Sequence, residues 1–209
     1  MAKQHWKPGN MLYPLPVVMV SCKREGERPN IITAAWAGTI CSDPVMLSVS
    51  IRKERYSHAI IQETGEFVVN LVTKELAYAT DFCGVRSGRD VDKFREMNLT
   101  ELAMEHVAAP GIAESPLNLE CRVTEIKELG SHDMFLAKVE GVTIDDTYMD
   151  ETGRFHLNNA GLVTYSHGEY FELGRRLGKF GYSVKKPLER KTAAKKSGGT
   201  RKRKRKCYR

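Results

Sequence analysis

The sequence lacks the short motifs that mark the commonest nucleotide-binding and hydrolytic folds. No GxGxxG segment follows a predicted strand, and GxxxxGK[ST], GxSxG and HExxH are all absent. These absences disfavour a Rossmann domain, an ATP-binding P-loop, an α/β-hydrolase and a zinc protease. None of the six histidines pairs with another at metal-ligating spacing. We therefore predict no metal site and interpret the histidines as solvated or capping residues.

Cysteine is scarce and scattered, and long apolar runs are missing. The five cysteines are odd in number and form no CxxC pair: Cys22, Cys41, Cys83, Cys121 and Cys207. This pattern argues against a disulfide framework or a structural zinc site and predicts reduced thiols. The apolar run at residues 15–20 is only long enough for a strand, and no charged-then-apolar leader is visible. We expect a cytoplasmic protein without a membrane segment.

The net charge of +7 is concentrated at one end of the chain. Residues 185–209 hold 13 Lys and Arg side chains against the single acid Glu189, so the rest of the chain is mildly acidic. Residues 187–209 have almost nothing to bury, and we predict a disordered basic tail. Such a tail suits nonspecific contact with nucleic acid, but it gives no information on the ligand of the folded part.

Residues 1–186 are predicted to form one mainly β domain with a few short helices. Strands are predicted at residues 17–20, 30–39, 45–51, 66–72, 117–129 and 134–145, with short extended pieces at 155–157, 162–166 and 170–173. Helices are predicted at residues 57–64, 74–82 and 93–98. Six to eight strands that do not alternate regularly with long helices favour a barrel or a sandwich.

A cluster of cations and hydroxyls follows the third predicted strand. It contains Arg52, Lys53, Arg55, Tyr56 and Ser57. Guanidinium groups bind phosphate with paired hydrogen bonds, and the start of a helix adds backbone N–H donors. Ser57 is predicted to cap the helix that begins near residue 58. The loop therefore suits the anionic end of a ligand, although a solvated turn with a capping serine would have the same composition.

The second predicted strand carries small residues beside an aromatic one. Asn30, Thr33, Ala34, Ala35 and Trp36 lie within seven positions. Alanine pairs are weak strand formers and fill a core poorly, but they allow a flat ring to approach the main chain. Trp36 would equally suit an ordinary core position. A planar group together with a phosphate describes a nucleotide cofactor, and flavin mononucleotide (FMN) matches both requirements.

Several segments carry a resemblance to a known family. They are YPLPVVMVSC, PNIITAAWAG, SDPVMLSVSIRKERYSH, EFVVNL, GRDVDKF, ESPLNLECRV and HGEYFELGRRLGKFGYSVKK, and they cover roughly residues 10–186. In order and spacing they resemble the flavin reductase-like family of FMN-binding split β-barrel proteins. The resemblance implies a six-stranded barrel of Greek-key type and a homodimer with FMN near the dimer interface.

The resemblance also implies roles for individual residues. The flavin would be lined by Asn30, Thr33, Ala34, Ala35 and Trp36, and the phosphate by Ser50, Arg52, Arg55, Tyr56 and Ser57. Lys93 and Phe94 would belong to a loop that closes over the cofactor. His167 and Tyr170 would edge the cofactor or nicotinamide pocket, but their motif would equally suit a C-terminal segment that packs on the barrel.

The function implied is that of an oxidoreductase that passes electrons from NADH or NADPH through FMN. The acceptor would be free flavin, ferric iron or a partner protein. No catalytic residue is predicted, because hydride transfer to a flavin needs no dedicated acid or base. Three alternatives stay open: a non-catalytic electron carrier, a reductase for which FMN is a substrate, and a nucleic-acid-binding module.

Overall fold

The structure is a computed structural model that describes residues 1–184, and the predicted tail at residues 187–209 lies outside the described residues. Met1–Gly174 forms one compact unit, and the segment that begins at Arg175 belongs to a second unit. Within the described part of that segment the regular structure is one 3₁₀ turn, Tyr182–Val184. All other elements belong to Met1–Gly174, which carries the fold described below.

Twelve strands and three α-helices make up the described fold. The strands are β1 (Leu15–Pro16), β2 (Val18–Cys22), β3 (Asn30–Ala34), β4 (Ala37–Ser42), β5 (Val45–Arg52), β6 (Glu66–Leu71), β7 (Glu101–Leu102), β8 (Gly111–Ile112), β9 (Leu117–Leu129), β10 (His132–Ile144), β11 (Val163–Ser166) and β12 (Glu169–Glu172). The helices are α1 (Tyr56–Thr64), α2 (Ala77–Val85) and α3 (Lys93–Glu96), with 3₁₀ turns at Asp146–Tyr148 and Leu157–Asn159. The prediction of a mainly β chain with a few short helices is confirmed.

The seven-stranded antiparallel sheet has the order β3-β2-β6-β9-β10-β5-β4. Its two edge strands, β3 and β4, are consecutive in the chain and are joined only by Ala35 and Trp36. The sheet must therefore curl until its edges meet, as in a barrel. The backbone N–H of Ser50 in β5 donates to the carbonyl of Trp36 at 2.8 Å and holds this junction.

The prediction of a single strand at residues 30–39 was wrong. The chain breaks at Ala35 and Trp36 and continues on the opposite edge of the sheet. The hydrophobic pattern could not indicate the break, because both halves read as extended chain. A local bend of two residues is visible only in the pairing, where β3 binds β2 and β4 binds β5.

Strand β2 supplies side chains to two hydrophobic layers. All five of its residues are buried. Because successive side chains of a strand point to opposite faces, Val18 and Val20 pack inside the barrel, whereas Met19 packs outside with Ile31. The outer layer includes Leu76, Cys83, Phe94 and Val163. This double burial fixes the sheet against the helices that border the candidate site.

Among residues 1–184 the longest helices, α1 and α2, have nine residues each. No helix in this part of the chain is long and apolar enough to cross a membrane.

Candidate functional site

Two adjoining cavities lie between the sheet, α2 and the loop after β5. We call the larger one, of about 450 Å³, the ring cavity, and the smaller one, of about 150 Å³, the cationic pocket. Ile32 and Arg55 line both. The two spaces are therefore neighbours, and one elongated ligand can reach from one into the other.

The ring cavity is built around the junction of β3 and β4. Most of the predicted residues line it: Thr33, Ala34, Ala35, Trp36, Ser50, Arg52, Arg55 and Tyr170. The end of α2 approaches β3 closely, since a Cβ on Gly84 would lie 3.2 Å from the Cβ of Thr33. Thr33 Oγ1 also donates to the carbonyl of Thr80 in α2. The small residues Thr33, Ala34 and Ala35 line the cavity beside the backbone of β3.

Aromatic and polar side chains form the walls of the ring cavity. The rings of Trp36 and His132 are stacked, with centroids 6.2 Å apart and planes 8° apart. Burial and the nearby Arg52 guanidinium lower the pKa of His132, which favours its neutral form. On another wall the Tyr170 hydroxyl donates to Oδ1 of Asp81 at 3.1 Å. Burial, reinforced by Asp81, raises the pKa of Tyr170 to about 12.

The cationic pocket gathers basic and hydroxyl groups from three parts of the chain. The predicted residues that line it are Asn30, Arg55, Tyr56, Ser57 and Lys93. The lining also includes four residues that were not predicted: Arg86, Ser87, Gly88 and Arg89. Their signal was the glycine- and charge-rich character of residues 84–91. That composition is also typical of a solvated loop, so only the folded chain reveals its place.

Asn30 and Gly88 fit closely in the cationic pocket. Asn30 Nδ2 donates to the hydroxyl oxygen of Ser57 at 2.7 Å, and Asn30 is 4% exposed. A Cβ on Gly88 would overlap Oδ1 of Asn30. Any larger residue at position 88 must therefore displace Asn30 or the loop, which would change the lining of the pocket.

Lys93 places a positive charge under the cationic pocket. Its ammonium is buried and donates to the carbonyl of Ile31 at 2.6 Å and to that of Cys83 at 2.8 Å. Burial lowers the pKa of Lys93 to about 8, and the nearby Arg55 acts in the same direction. Two of its hydrogen bonds are thus used to join β3 to α2, and its charge contributes to the field of the pocket.

Arg55 stands at the start of α1 and links this helix to α2. It is the residue that precedes Tyr56, the first helical residue, and its guanidinium donates to the carbonyl of Gly84. The prediction that Ser57 caps this helix was wrong. Helix α1 has no side-chain cap, and Ser57 lies inside its first turn with its hydroxyl bound by Asn30.

Five of the predicted residues lie elsewhere than expected. Asn30 lines the cationic pocket and not the ring cavity, and Ser50 lines the ring cavity and not the cationic pocket. Arg52 lines the ring cavity and not the cationic pocket, and its exposed guanidinium is 3.6 Å from Glu54. Phe94 is buried in the outer hydrophobic layer and lines neither cavity. His167 occupies the turn between β11 and β12 with a φ of 54°, and its ring centroid is 5.3 Å from that of Tyr13. It also lines neither cavity.

The chemistry of the donors suits an anion more than a cation. Arg55, Arg86, Arg89 and Lys93 surround the cationic pocket, and Glu54 is its one acidic residue. Such a donor set matches a phosphate group, and the adjoining cavity of about 450 Å³ has room for an aromatic ring. Within residues 1–184 no group of three or more His, Cys, Asp and Glu side chains is arranged to hold a metal ion.

Comparisons with known proteins point in the same direction. A family profile described as "Flavin reductase like domain" matches residues 10–174. An uncharacterized protein of Archaeoglobus fulgidus is 35% identical over 160 residues, which is 77% of this chain and 88% of that protein. The solved flavoredoxin of Desulfovibrio vulgaris (Miyazaki F) superposes with a TM-score of 0.81 at 31% identity and covers 88% of this chain and 100% of its own.

A second solved structure is an FMN-binding protein from Thermus thermophilus with bound 1-cyclohex-2-enone. It superposes with a TM-score of 0.67 at 26% identity over 82% of this chain and 94% of its own. These superpositions confirm the split-barrel fold implied by the sequence motifs.

Proposed function

The chain belongs to the flavin reductase-like family, and from this membership we propose that it binds FMN and acts as an oxidoreductase that passes electrons from NADH or NADPH to a small acceptor. Free flavin and ferric iron are the acceptor classes, and an electron-transfer protein is the third. The observation that supports the proposal is that Arg55 lines both the ring cavity and the cationic pocket, as a residue between the two ends of one ligand would. A molecule with a tricyclic ring and a phosphate needs such a pair of adjoining spaces.

The residues present fit FMN. In the cationic pocket the basic side chains and Ser87 supply donors for a phosphate. Because Gly88 has no side chain, Asn30 can occupy the space beside it. In the ring cavity Ala34 and Ala35 leave the β3 backbone accessible to a ring. Bound FMN would supply the two-electron redox chemistry, and the protein would supply orientation and electrostatics.

The protein's own groups have three tasks in this scheme. Arg55, Arg86 and Arg89 neutralise an anionic end and fix its position. The β3–β4 junction holds a ring against the main chain, and the stacked Trp36 and His132 narrow the cavity beside it. The hydroxyl of Tyr170 stays protonated at neutral pH, because its pKa is raised to about 12, and it donates to Asp81. No proton transfer by a side chain is required.

Flavin titrations test the proposal. The purified protein should be yellow, or should take up FMN at micromolar concentration, and should bleach on reduction. Arg55→Met should raise the Kd for FMN about tenfold, equivalent to ~1.4 kcal/mol, and should raise the Kd for riboflavin much less, because only FMN carries the phosphate. Arg52→Met is the matched control and should leave the preference for FMN over riboflavin intact. A colourless protein that takes up no FMN would refute the proposal.

A non-catalytic electron carrier is the second candidate, and the similarity to flavoredoxin favours it. Steady-state consumption of NADH and NADPH by the FMN-loaded protein separates the two functions. Turnover with either nucleotide supports the reductase. Reduction only by a protein donor or dithionite supports the carrier. Retention of FMN through gel filtration then decides whether FMN is a bound group or a substrate.

A further inference from the structure

Residues 53–58, which run from the end of β5 into the first turn of α1, are attached at both ends to one buried carboxylate. Asp133 lies in β10, paired with Ile51 of β5, and is 4% exposed. Its Oδ2 is 2.8 Å from Nε2 of His58, which lies in the first turn of α1. Its Oδ1 lies 3.3 Å from Nζ of Lys53, near the start of the loop. The two ends are thus tied to the two oxygens of a single side chain.

Burial separates the Asp133 contacts from ordinary surface ion pairs. The side chains of Asp133 and His58 are 6% and 7% exposed. Oδ1 of Asp133 makes no hydrogen bond with the described residues, so the Lys53 ammonium is the charge that neutralises it. Removing one partner of such a buried pair leaves an uncompensated group in a poorly solvated place, which is strongly unfavourable. The ring of His58 is further fixed edge-on against Phe135, with centroids 5.3 Å apart.

Lys53 has a second partner that serves as an internal control. Its Nζ is 2.9 Å from Oε2 of Glu128, but the Glu128 side chain is 79% exposed. Exposed ion pairs of this kind contribute little, because water and salt screen them. Lys53 therefore contacts one buried acid, Asp133, and one exposed acid, Glu128, through the same ammonium group.

The tied segment carries the residues that shape the cationic pocket. Arg55 and Ser57 lie between Lys53 and His58, and both line the pocket. The N–H of Arg55 donates to the carbonyl of Arg52 at 3.1 Å, and the N–H of His58 donates to that of Arg55 at 3.0 Å. These two turns are short, so a shift at either end moves Arg55. The contact from the Arg55 guanidinium to the Gly84 carbonyl would shift with it.

We propose that Asp133 is a positioning residue that clamps residues 53–58 through Lys53 and His58 and so sets the geometry with which Arg55 and Ser57 receive the anionic end of the ligand. Asp133 lines neither cavity and acts only through the loop. The identity of the ligand as FMN rests on the proposed function, whereas the clamp itself does not. The role is geometric: it acts on the position of Arg55 and Ser57 and not on the β3 residues that line the ring cavity.

Asp133→Asn tests the clamp. The amide has nearly the same volume, but it carries no charge to neutralise Lys53. We expect the Kd for FMN to rise about tenfold or more and the Kd for riboflavin to change by less than about twofold. We also expect faster hydrogen exchange of the backbone amides of residues 53–58 in the absence of any flavin. Glu128→Gln should change neither quantity.

Three further variants keep the test decisive if Asp133→Asn folds poorly. Lys53→Met alters an exposed side chain, and we expect it to raise the FMN Kd about threefold and to speed exchange at residues 53–58. His58→Gln retains an N–H donor for Asp133 and should bind FMN better than His58→Leu. Native exchange rates at residues 53–58 in folded Asp133→Asn or Lys53→Met protein would overturn the clamp. Equal weakening of FMN and riboflavin would overturn its role in anion binding.

The exchange measurement also distinguishes the failure of this inference from that of the proposed function. A wild-type protein that takes up no FMN refutes the proposed function. The flavin-free exchange rates of the Asp133 and Lys53 variants then still decide whether the clamp exists.

Discussion

Arg55 shows how one side chain can couple two parts of a site. It is the residue before the first turn of α1, it lines both cavities, and its guanidinium binds the end of α2 at Gly84. A bidentate donor at such a junction can hold an anion while it also fixes the neighbouring helix. Lysine at this position would provide a charge, but it could not form two parallel hydrogen bonds to one anion.

At the same scale, Gly88 is predicted to be intolerant of any side chain. In Gly88→Ala the new Cβ would overlap Oδ1 of Asn30, which is buried and bonded to Ser57. We expect the FMN Kd to rise about tenfold, equivalent to ~1.4 kcal/mol, as measured by flavin fluorescence titration. Gly38→Ala is the control, because a Cβ there would meet nothing within 4 Å. Equal FMN affinities in the two variants would contradict this account of the pocket.

Lys93 should make stability depend on pH in the alkaline range. Its pKa in the folded protein is about 8, below the ordinary 10.5. Between these values the unfolded chain holds a proton that the folded protein has released, so the contribution of Lys93 to the free energy of unfolding rises with pH. Relative to Lys93→Met, the wild type should gain up to about 1.4 kcal/mol per pH unit from pH 8 to 10.

Urea denaturation of both proteins at several pH values measures this difference. The buried cysteines Cys22, Cys83 and Cys121 have pKa values raised by burial, so they act in the opposite direction. They are common to both proteins, and their effect therefore largely cancels. Parallel pH profiles would mean that Lys93 keeps its proton in the folded protein.

At the scale of elements, buried carboxylates fasten a long connection to the sheet. Glu120 of β9 accepts a hydrogen bond from the N–H of His106 at 2.5 Å, and Glu66 of β6 accepts one from Ala108 at 2.7 Å. Both carboxylates are buried. The segment between α3 and β9 has only the short pair β7 and β8, so these contacts replace the missing strand pairing.

Glu120→Ala should therefore lower the free energy of unfolding by about 2 kcal/mol, because the N–H of His106 loses a charged acceptor. Glu120→Gln keeps an oxygen acceptor and should lower the free energy of unfolding by a smaller amount. Urea unfolding with an unchanged m-value measures both variants. FMN affinity should stay at the wild-type level, since neither Glu120 nor His106 lines a cavity of the site. A loss of FMN binding would show that this segment reaches the site.

At the scale of the whole molecule, the curled sheet leaves β4 as an edge strand with exposed apolar side chains. Ile40 is 46% exposed, and Val45 at the start of β5 is 52% exposed. Apolar side chains on an edge strand favour association with another chain. They are consistent with the homodimer that the family resemblance implies.

We expect light scattering to give twice the chain mass of 23.6 kDa. Ile40→Lys or Val45→Lys should shift the mass to that of one chain, because a buried lysine at an interface is costly. Val142→Lys, on a valine of β10 that is 56% exposed, is the matched control and should leave the mass unchanged. A wild-type mass of 23.6 kDa would contradict the dimer.

The basic tail makes a separate prediction at this scale. Deletion of residues 187–209 should leave FMN affinity unchanged and should abolish salt-sensitive retention on a DNA column. Retention of the truncated protein on the DNA column would mean that residues outside 187–209 contact the nucleic acid. Weakened FMN binding would instead connect the tail with the flavin site.

Most of the residues predicted for the site line one of the two cavities, because their signals in the sequence are local. Residues 30–36 and 52–57 are short segments whose composition is unusual, and most of their members line one of the two cavities. Phe94 was misplaced because an aromatic residue beside Lys93 suits a site and a core equally well. Arg86 and Arg89 were missed because a charged loop usually faces solvent, and nothing in its composition says which pocket it borders.

By itself the sequence determined the strand-rich fold, the three helices and the two segments that line the cavities, because hydrophobic periodicity and residue size act over a few neighbouring positions. Only the tertiary structure decided that the chain breaks at Ala35 and Trp36, that residues 86–89 meet Arg55, and that one carboxylate ties both ends of the loop. Those outcomes depend on which strands pair around the curled sheet. Pairing is set by the packing of residues that are distant in sequence, which no local pattern records.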